Sequence, residues 1–516
     1  MSWFKLKRYS VFCSKFAYSI HHYDLEVTLD PRRQSYAVTA AITMKMGKPT
    51  NRLCFLLSAE CALHSVSYLG LPLVHKVKQV SPGVNLITAI MPRKADRDEK
   101  LTAVLTYSGP IPVPEGDTAE LSPDMRWYPF SSRPQQYTCT LKVITPEATR
   151  IVGPGTHSRQ EPADIRVLTQ WTADTPFQGI HMLAGDFLKT SRDAATPLDI
   201  YYPRKYMNQA KTVADYSQKL LEFFGQKLGP APAPATAVVM AENPAQVARS
   251  SFYLTSISTG ILDMLQEYET RQERNMRLFL LLARETGRRW LKYCLPVAHP
   301  SYKWYLDGLA EYLSWLAVEE EFGPAAKTRV LQEAREMVIA GANRSIVSAA
   351  ASKLQFPPWL VAKAAWLMRM AHSLAGDSFL AGLLEIYAQA FRENKAPDPQ
   401  EFFALLGNIT NTDMLQLYRE WALSSGKLQV EIKEARTFLD DKNRWQTLFN
   451  LVNDGKLDWP HPVELKLALA GGDSRIVRLP LQQEPHLLES PVKVEAITVD
   501  PEYKLLNWAA KNTYTM

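Results

Sequence analysis

The spacing of apolar residues changes twice along the chain, and this change limits the fold more than any single residue does. From residue 20 to about 205 apolar and polar residues alternate, from about 272 to 425 they follow a helical period, and past about 427 the alternation returns. Side chains alternate between the two faces of a strand but recur about every 3.6 residues on a helix, so the two patterns predict different elements. The sequence therefore predicts a β domain, an α-rich domain and a small β domain, with boundaries at 1–205, 206–426 and 427–516.

Strand signals fill the first of these domains. Residues 23–30 and 35–44 alternate clearly, and clusters of Pro, Gly, Asp and Asn separate the strand-like runs, as turns require. Three further runs have the same character: 84–90, 101–107 and 137–143. The pattern predicts an antiparallel β saddle or sandwich for this domain.

The second and third domains are predicted from the same kind of signal. In the α-rich domain Pro and Gly mark several helix boundaries, and Pro324 after Gly323 suits a helix start. The predicted helices are 210–229, 273–293, 304–320, 325–341, 357–374, 376–393, 398–407 and 412–424. Strand runs at 463–469, 475–481 and 492–499 predict a small C-terminal β-sandwich. The predicted fold class is multidomain α+β.

Composition and charge exclude several classes of function. A formal net charge of +6 over 516 residues is small, so we expect no nucleic-acid partner. The 5 cysteines are scattered and include no C-x-x-C pair, which favours a reducing compartment over a disulfide framework. The basic N-terminus lacks an apolar stretch adequate for a signal peptide, and no run approaches the ~18 apolar residues of a membrane span. We therefore expect a cytoplasmic protein without a transmembrane segment.

One short segment resembles a catalytic motif whose metal ligands have been replaced. In the thermolysin-like pattern H-E-x-x-H, two histidines one helical turn apart bind zinc, and the glutamate between them is the general base. Here Glu285 occupies the glutamate position, whereas Arg284 and Arg288 occupy both histidine positions. Asp307 follows Arg288 after eighteen residues, which is where one branch of zinc peptidases has its third ligand, a glutamate.

Together with the order of domains, this segment resembles the aminopeptidase N family of gluzincin zinc peptidases, from about residue 20 to 505. The matching segments are Tyr23-Asp-Leu, Trp127-Tyr-Pro129, Ala184-Gly-Asp-Phe187, Trp304 with Asp307-Gly-Leu-Ala-Glu-Tyr312, Lys363-Ala-Ala and Val499-Asp-Pro501. No single segment is decisive, and their order and spacing carry the resemblance. It implies an N-terminal β saddle, a thermolysin-like α-rich domain and a small C-terminal β-sandwich.

The resemblance also implies which positions correspond to the family's working residues. The two histidine ligands fall on Arg284 and Arg288, the general base on Glu285 and the third ligand on Asp307. The tyrosine that stabilises the oxyanion in the family falls on Val361. Of these positions, only the general-base glutamate, Glu285, is unchanged.

These replacements remove the chemistry of the family's mechanism. A guanidinium has only N–H donors and stays protonated, so neither arginine can bind zinc. Without zinc, Glu285 alone can neither lower the pKa of water nor polarise a carbonyl, and Val361 cannot donate a hydrogen bond to an oxyanion. The glutamate that holds the substrate amine in the family falls on Tyr253. The sequence thus predicts no zinc cofactor and no intact catalytic set, with Glu285 a vestigial base.

Two hypotheses account for the arginines. In the first, they form a structural salt-bridge network with Asp307, and with Glu285 or Glu311, that joins the helices without a metal. In the second, they face an open cleft and bind a carboxylate such as a peptide C-terminus. The candidate ligand-binding residues are Arg284, Arg288, Asp307, Glu311 and Tyr253.

Three hypotheses about function follow. The one we favour is a catalytically degenerate pseudopeptidase that binds a peptide or a protein. The second is an active metallopeptidase or aminopeptidase with a rebuilt site, to which His299 or His372 would contribute a relocated ligand. The third is a structural subunit of a larger assembly.

Overall fold

A computed structural model gives the fold of the chain. It describes residues 16–30, 33–111, 118–132, 135–146, 149–163, 166–193, 196–242, 247–291, 297, 299–341, 344–351 and 356–516. The chain forms two compact units, Met1–Ala298 with Ala388–Ala396, and His299–Tyr387 with Pro397–Met516. We call them the first and the second unit. The domain boundaries expected after residues 205 and 426 stay a prediction.

Nineteen strands lie in the described part of the first unit. They are β1 (Tyr18–Asp30), β2 (Ser35–Met46), β3 (Thr50–Ser58), β4 (Ala62–Tyr68), β5 (Leu71–Pro72), β6 (Val74–Ser81), β7 (Val84–Ala95), β8 (Lys100–Pro110), β9 (Ala119–Leu121), β10 (Tyr137–Pro146), β11 (Arg150–Val152), β12 (Thr156–Ala163), β13 (Arg166–Phe177), β14 (Met182–Gly185), β15 (Leu188–Arg192), β16 (Leu198–Tyr202), β17 (Thr236–Ala241), β18 (Ala248–Ser250) and β19 (Leu254–Ser258). The four sheets have the orders β12-β13-β10-β1-β2-β8-β4-β5, β3-β7-β6, β11-β14-β9 and β15-β16-β17-β19-β18.

The large sheet is mixed, which corrects the expectation of a wholly antiparallel N-terminal domain. Strands β1 and β10 run parallel, with His22 opposite Thr138, while the other pairs of this sheet are antiparallel. No hairpin joins β1 to β10, so the chain between them is long enough to permit either direction. The alternation on β1 gave the buried face correctly, because Tyr23, Leu25 and Val27 are buried there.

Three helices lie wholly within the described residues of the first unit: α1 (Met207–Leu228), α2 (Thr259–Leu265) and α3 (Arg271–Leu291). Helix α1 packs on α3 through aromatic contacts. The rings of Phe224 and Trp290 stack with centroids 5.7 Å apart, and Tyr216 meets Phe279 edge-on at 5.2 Å. These contacts bury one face of α3 and hold it against α1.

Residues 304–516 supply the remaining elements, where the structure describes them. The helices are α4 (Trp304–Phe322), α5 (Pro324–Ala340), α6 (Ile346–Ala350), α7 (Pro358–Ala375), α8 (Ser378–Glu393), α9 (Pro399–Thr410) and α10 (Met414–Tyr418), the last continued by a π-helical turn (Arg419–Leu423). The strands are β20 (Val430–Leu439), β21 (Trp445–Asn453), β22 (Val463–Leu469), β23 (Ser474–Leu479), β24 (His486–Ser490), β25 (Val494–Val499) and β26 (Thr513–Thr515). Across the described chain, every helix falls short of the length or the apolar content that a bilayer span requires.

The C-terminal strands of the second unit form two antiparallel sheets, β20-β21-β24 and β23-β22-β25-β26. Two arginines from the helices of this unit bind the chain that follows β25. Arg335 donates to the carbonyl oxygens of Asn507 and Ala509, each at 2.6 Å, and Arg369 donates to the carbonyl of Tyr503 at 3.3 Å. Because these bonds end on backbone oxygens, they connect helices α5 and α7 to the C-terminal segment whatever its side chains are.

Candidate functional site

The segment that the sequence analysis compared with H-E-x-x-H, residues 284–288, lies in the C-terminal half of α3. The backbone N–H of Glu273 donates to the hydroxyl of Thr270 at 3.1 Å, so Thr270 caps the start of the helix. Met276, Phe279 and Ala283 are buried along its inner side. This apolar stripe sets the rotation of α3, which therefore determines where the charged residues one turn further on are placed.

Glu285 is buried, with 3% of its surface exposed. Its Oε2 accepts a hydrogen bond from the Ser250 hydroxyl at 2.5 Å, and its Oε1 pairs with Nη1 of Arg288, one turn later in the same helix. Ser250, at the end of β18, also shares a hydrogen bond with the hydroxyl of Thr255 on β19 at 3.2 Å. Both carboxylate oxygens are thus occupied, and the interaction joins α3 to the β18–β19 hairpin.

Arg289 provides a second connection between α3 and the same hairpin. Its Nε donates to the carbonyl of Phe252 at 3.3 Å. The guanidinium is buried, and burial lowers its pKa to about 9. Sequence reasoning singled out Arg284 and Arg288 and overlooked both Arg289 and Ser250. The position of Arg289 directly after Arg288 was the only signal for it. Ser250 had none beyond lying three residues before Tyr253, the position expected to correspond to the family's amine-binding glutamate.

Tyr253 lies in the turn between β18 and β19 and belongs to an aromatic cluster. Its ring meets Phe177 at 5.0 Å and Phe252 at 4.9 Å, both edge-on. Its hydroxyl donates to the carbonyl of Thr175 on β13 at 3.3 Å. Burial raises the pKa of this phenol to about 12, so it stays protonated at neutral pH. The structure thus places Tyr253 in the core that joins the hairpin to β13.

Asp307, Glu311 and Val361 belong to the second unit. Asp307 and Glu311 are one turn apart on α4 and both are buried, and Glu311 Oε1 accepts a hydrogen bond from the indole of Trp315 at 3.0 Å. Val361 is buried on α7. Helices α4 and α7 approach closely, since a Cβ at Gly308 would lie 2.5 Å from the Cβ of Ala364. The pairing of the two motif arginines with Asp307 stays a prediction.

The two histidines considered for a relocated metal site have structural contacts. Nδ1 of His299 accepts a hydrogen bond from the backbone N–H of Ser301 at 3.1 Å and caps a short 3-10 helix. His372 shares a hydrogen bond with Tyr312 at 2.5 Å and stacks on Phe379 at 4.8 Å, and burial lowers its pKa to about 4. Within the described residues, no three or more His, Cys, Asp or Glu side chains cluster in a way that could hold a metal ion.

The side chains at the two positions expected to correspond to zinc-binding histidines do not fit that metal. Arg284 and Arg288 offer N–H donors where zinc needs lone pairs. Glu285, the carboxylate between them, already accepts from a hydroxyl and a guanidinium. The donor set at this end of α3 is therefore suited to charge pairing and hydrogen bonding.

No family model and no curated protein matches this sequence. Among solved structures, the chain is similar to Legionella pneumophila aminopeptidase A in complex with aspartic acid, with a TM-score of 0.74 and 14% sequence identity. The match covers 95% of this chain and 59% of that protein, so the chain spans about three fifths of the length of its structural relative. The similarity shows that the chain has an aminopeptidase-like, multidomain α+β fold.

Proposed function

We propose that this chain is a catalytically degenerate, zinc-independent relative of the aminopeptidase N-like peptidases that binds a peptide or a protein. The observation that carries the proposal is the state of Glu285, which is buried between Ser250 and Arg288 with both oxygens occupied. A general base must reach the proton that it removes, directly or through one water. A carboxylate that already accepts from two side chains in the core is poorly placed for that.

The chemistry of the neighbouring arginine supports a binding role. A guanidinium presents N–H donors in a fixed fork that matches a carboxylate, and Glu285 already pairs with Arg288 in this way through Nη1. The Arg288 side chain is 27% exposed, which brings part of it to the surface of the first unit. A peptide C-terminal carboxylate is the ligand that this chemistry suits, and Glu285 then holds the arginine in position.

Peptide binding is tested with two fluorescent pools of random hexapeptides, one ending in a free carboxylate and one in an amide. Binding of the first pool by anisotropy should weaken at least about tenfold in Arg288→Gln, because a charge-assisted hydrogen bond contributes about 1.5–3 kcal/mol. Arg277→Gln is the matched control, since Arg277 pairs with Glu273 one turn away in the same helix. Equal binding of both pools, or equal loss in both variants, would contradict the carboxylate assignment.

The absence of zinc chemistry is tested separately. Protein purified without chelators is analysed by mass spectrometry for metals, and aminoacyl chromogenic substrates are assayed with Glu285→Gln alongside the parent. Substoichiometric zinc and no Glu285-dependent hydrolysis are the expected results. Stoichiometric zinc, or hydrolysis that disappears in Glu285→Gln, would establish the rebuilt-peptidase alternative. A stoichiometric protein that co-purifies while peptides do not bind would favour the structural-subunit alternative.

A further inference from the structure

Large apolar side chains are exposed to solvent in and after the turn between β4 and β5, where burial would be more favourable. Leu69 and Leu71 are 77% and 61% exposed, and Val74, three residues further on, is 73% exposed. Leu69 also has a φ of 52°, in the left-handed region that disfavours side chains other than Gly, Asn and Asp. One residue thus combines exposure of a large apolar side chain with an unfavourable backbone conformation, which is typical of positions kept for an interaction.

The exposed apolar surface continues onto β6 and β7. Strand β6 lies at the edge of its sheet, and Val74 pairs with Ile90 of β7, which is also exposed. Because side chains alternate along a strand, Lys76 and Lys78 lie on the same face of β6 as Val74. Arg52 of β3 pairs with Ile90 from the other side. Basic side chains therefore flank the apolar pair on both sides.

The charge of this sheet has one sign. Strands β3, β6 and β7 (50–58, 74–81 and 84–95) contain Arg52, Lys76, Lys78, Arg93 and Lys94, and not one Asp or Glu. Arg93 is paired with Glu99, which lies outside the three strands. The sheet that carries Val74 and Ile90 is therefore positively charged, and its electrostatic complement is an anionic partner.

We propose that this surface docks onto a bilayer of anionic phospholipids. We call it the 69–90 surface, defined by Leu69, Leu71, Val74 and Ile90 with Arg52, Lys76 and Lys78. The apolar side chains enter the boundary between headgroups and acyl chains, and the basic side chains lie against the phosphates. Apolar burial combined with electrostatic attraction is what holds peripheral proteins at such a membrane.

An acidic strand from another protein, added to the open edge of β6, is the other class of partner with the right charge. The position of the leucines favours the bilayer. Leu69 and Leu71 belong to the β4–β5 hairpin, where Tyr68 already pairs with Leu71 in a different sheet. A strand that adds to β6 would leave both leucines in water, whereas a bilayer is broad enough to cover the hairpin and the edge strand together.

The test is co-sedimentation of the full chain with vesicles of phosphatidylcholine alone or mixed with phosphatidylserine. We expect binding to the mixed vesicles that falls with added salt. Leu69→Asn should weaken it several-fold without disturbing the turn, because asparagine tolerates a positive φ. Lys76→Gln with Lys78→Gln should weaken it about 30-fold, given the attraction that each basic residue contributes at such a surface. Leu487→Asn is the control, since Leu487 is 58% exposed on β24 of the second unit and should bind as the parent does.

Thermal unfolding of each variant establishes that the fold is retained. No binding to the mixed vesicles, or the same binding by parent, leucine and lysine variants, would overturn the proposal. So would binding that is equal with and without phosphatidylserine, because the lysines would then have no role. A last outcome would assign the surface to a protein partner instead. In that outcome the chain does not bind vesicles but binds a peptide of alternating acidic and apolar residues, and Lys76→Gln with Lys78→Gln abolishes the peptide binding.

Discussion

Replacing Glu285 by glutamine separates a structural role for this residue from a catalytic one. The glutamine amide oxygen can still accept from the Ser250 hydroxyl, but its NH₂ group then faces Arg288, which has only donors to offer. The variant therefore keeps the hydrogen bond from Ser250, now to a neutral acceptor, and loses the ion pair with Arg288. In an enzyme the same exchange usually leaves the fold as stable or more stable, because catalytic residues are placed for function at the expense of stability.

The size of the effect follows from the two contacts. A hydrogen bond to a charged group contributes about 1.5–3 kcal/mol and a neutral one about 1 kcal/mol, so the Ser250 contact should lose about 1 kcal/mol or slightly more. The Arg288 side chain is 27% exposed, and its pair with Glu285 is screened to about 1 kcal/mol. We expect the local opening free energy of α3 to fall by about 2 kcal/mol, which is about 30-fold in an equilibrium constant.

Hydrogen–deuterium exchange of peptides that cover α3 measures this local opening, which a single melting temperature of a two-unit protein does not. Ser250→Ala should accelerate exchange in the same peptides, and the double variant should show a coupling above about 0.5 kcal/mol. Glu333→Gln is the control, because Glu333 forms an exposed pair with Arg329 and should change stability by less than about 0.5 kcal/mol. Unchanged or slower exchange in Glu285→Gln would refute the structural role.

Three further predictions concern the scaffold. Burial raises the pKa of Asp500 to about 6 from 3.8, so its ionisation opposes folding above pH 6. The stability of the parent relative to Asp500→Asn should therefore rise as pH falls from about 6 towards 4, which urea unfolding across that range measures. Gly308→Ala should destabilise the second unit by about 1–3 kcal/mol, because its Cβ would lie 2.5 Å from that of Ala364. Gly225→Ala on α1, where a Cβ meets nothing within 4 Å, should instead stabilise by about 0.5–1 kcal/mol in the same assay.

Much of the helical part of the chain could be predicted from its sequence. The helices expected at 273–293 and 304–320 correspond to α3, Arg271–Leu291, and α4, Trp304–Phe322. The start of α3 and both ends of α4 agree within two residues, whereas the expected end at 293 lies outside the described residues. These segments are long enough for the apolar period to be read over several turns. The helices that the sequence analysis missed, α2 with 7 residues and α6 with 5, span too few turns for a period to appear.

Contacts between elements could not be predicted in the same way. The hydroxyl of Ser250 reaches Glu285 from 35 positions earlier in the chain, and nothing in either local sequence encodes that approach. The same holds for Tyr253. The resemblance identified its position, but not that its hydroxyl would donate to the carbonyl of Thr175. Helix and strand propensities and the spacing of apolar residues depend on neighbouring residues in the chain, whereas these contacts depend on how whole helices and strands pack together.

The pair formed by Glu285 and Arg288 has a consequence for how this protein can evolve. Zinc binding in the H-E-x-x-H pattern requires histidines at both positions 284 and 288. A first step at position 288 alone removes the cation that compensates a buried carboxylate, which lowers stability before any metal affinity appears. A first step at position 284 leaves the glutamate bound to its arginine and unable to serve as a base. Neither single substitution therefore gives an advantage by itself, so selection for zinc binding at these positions would act only once both were present.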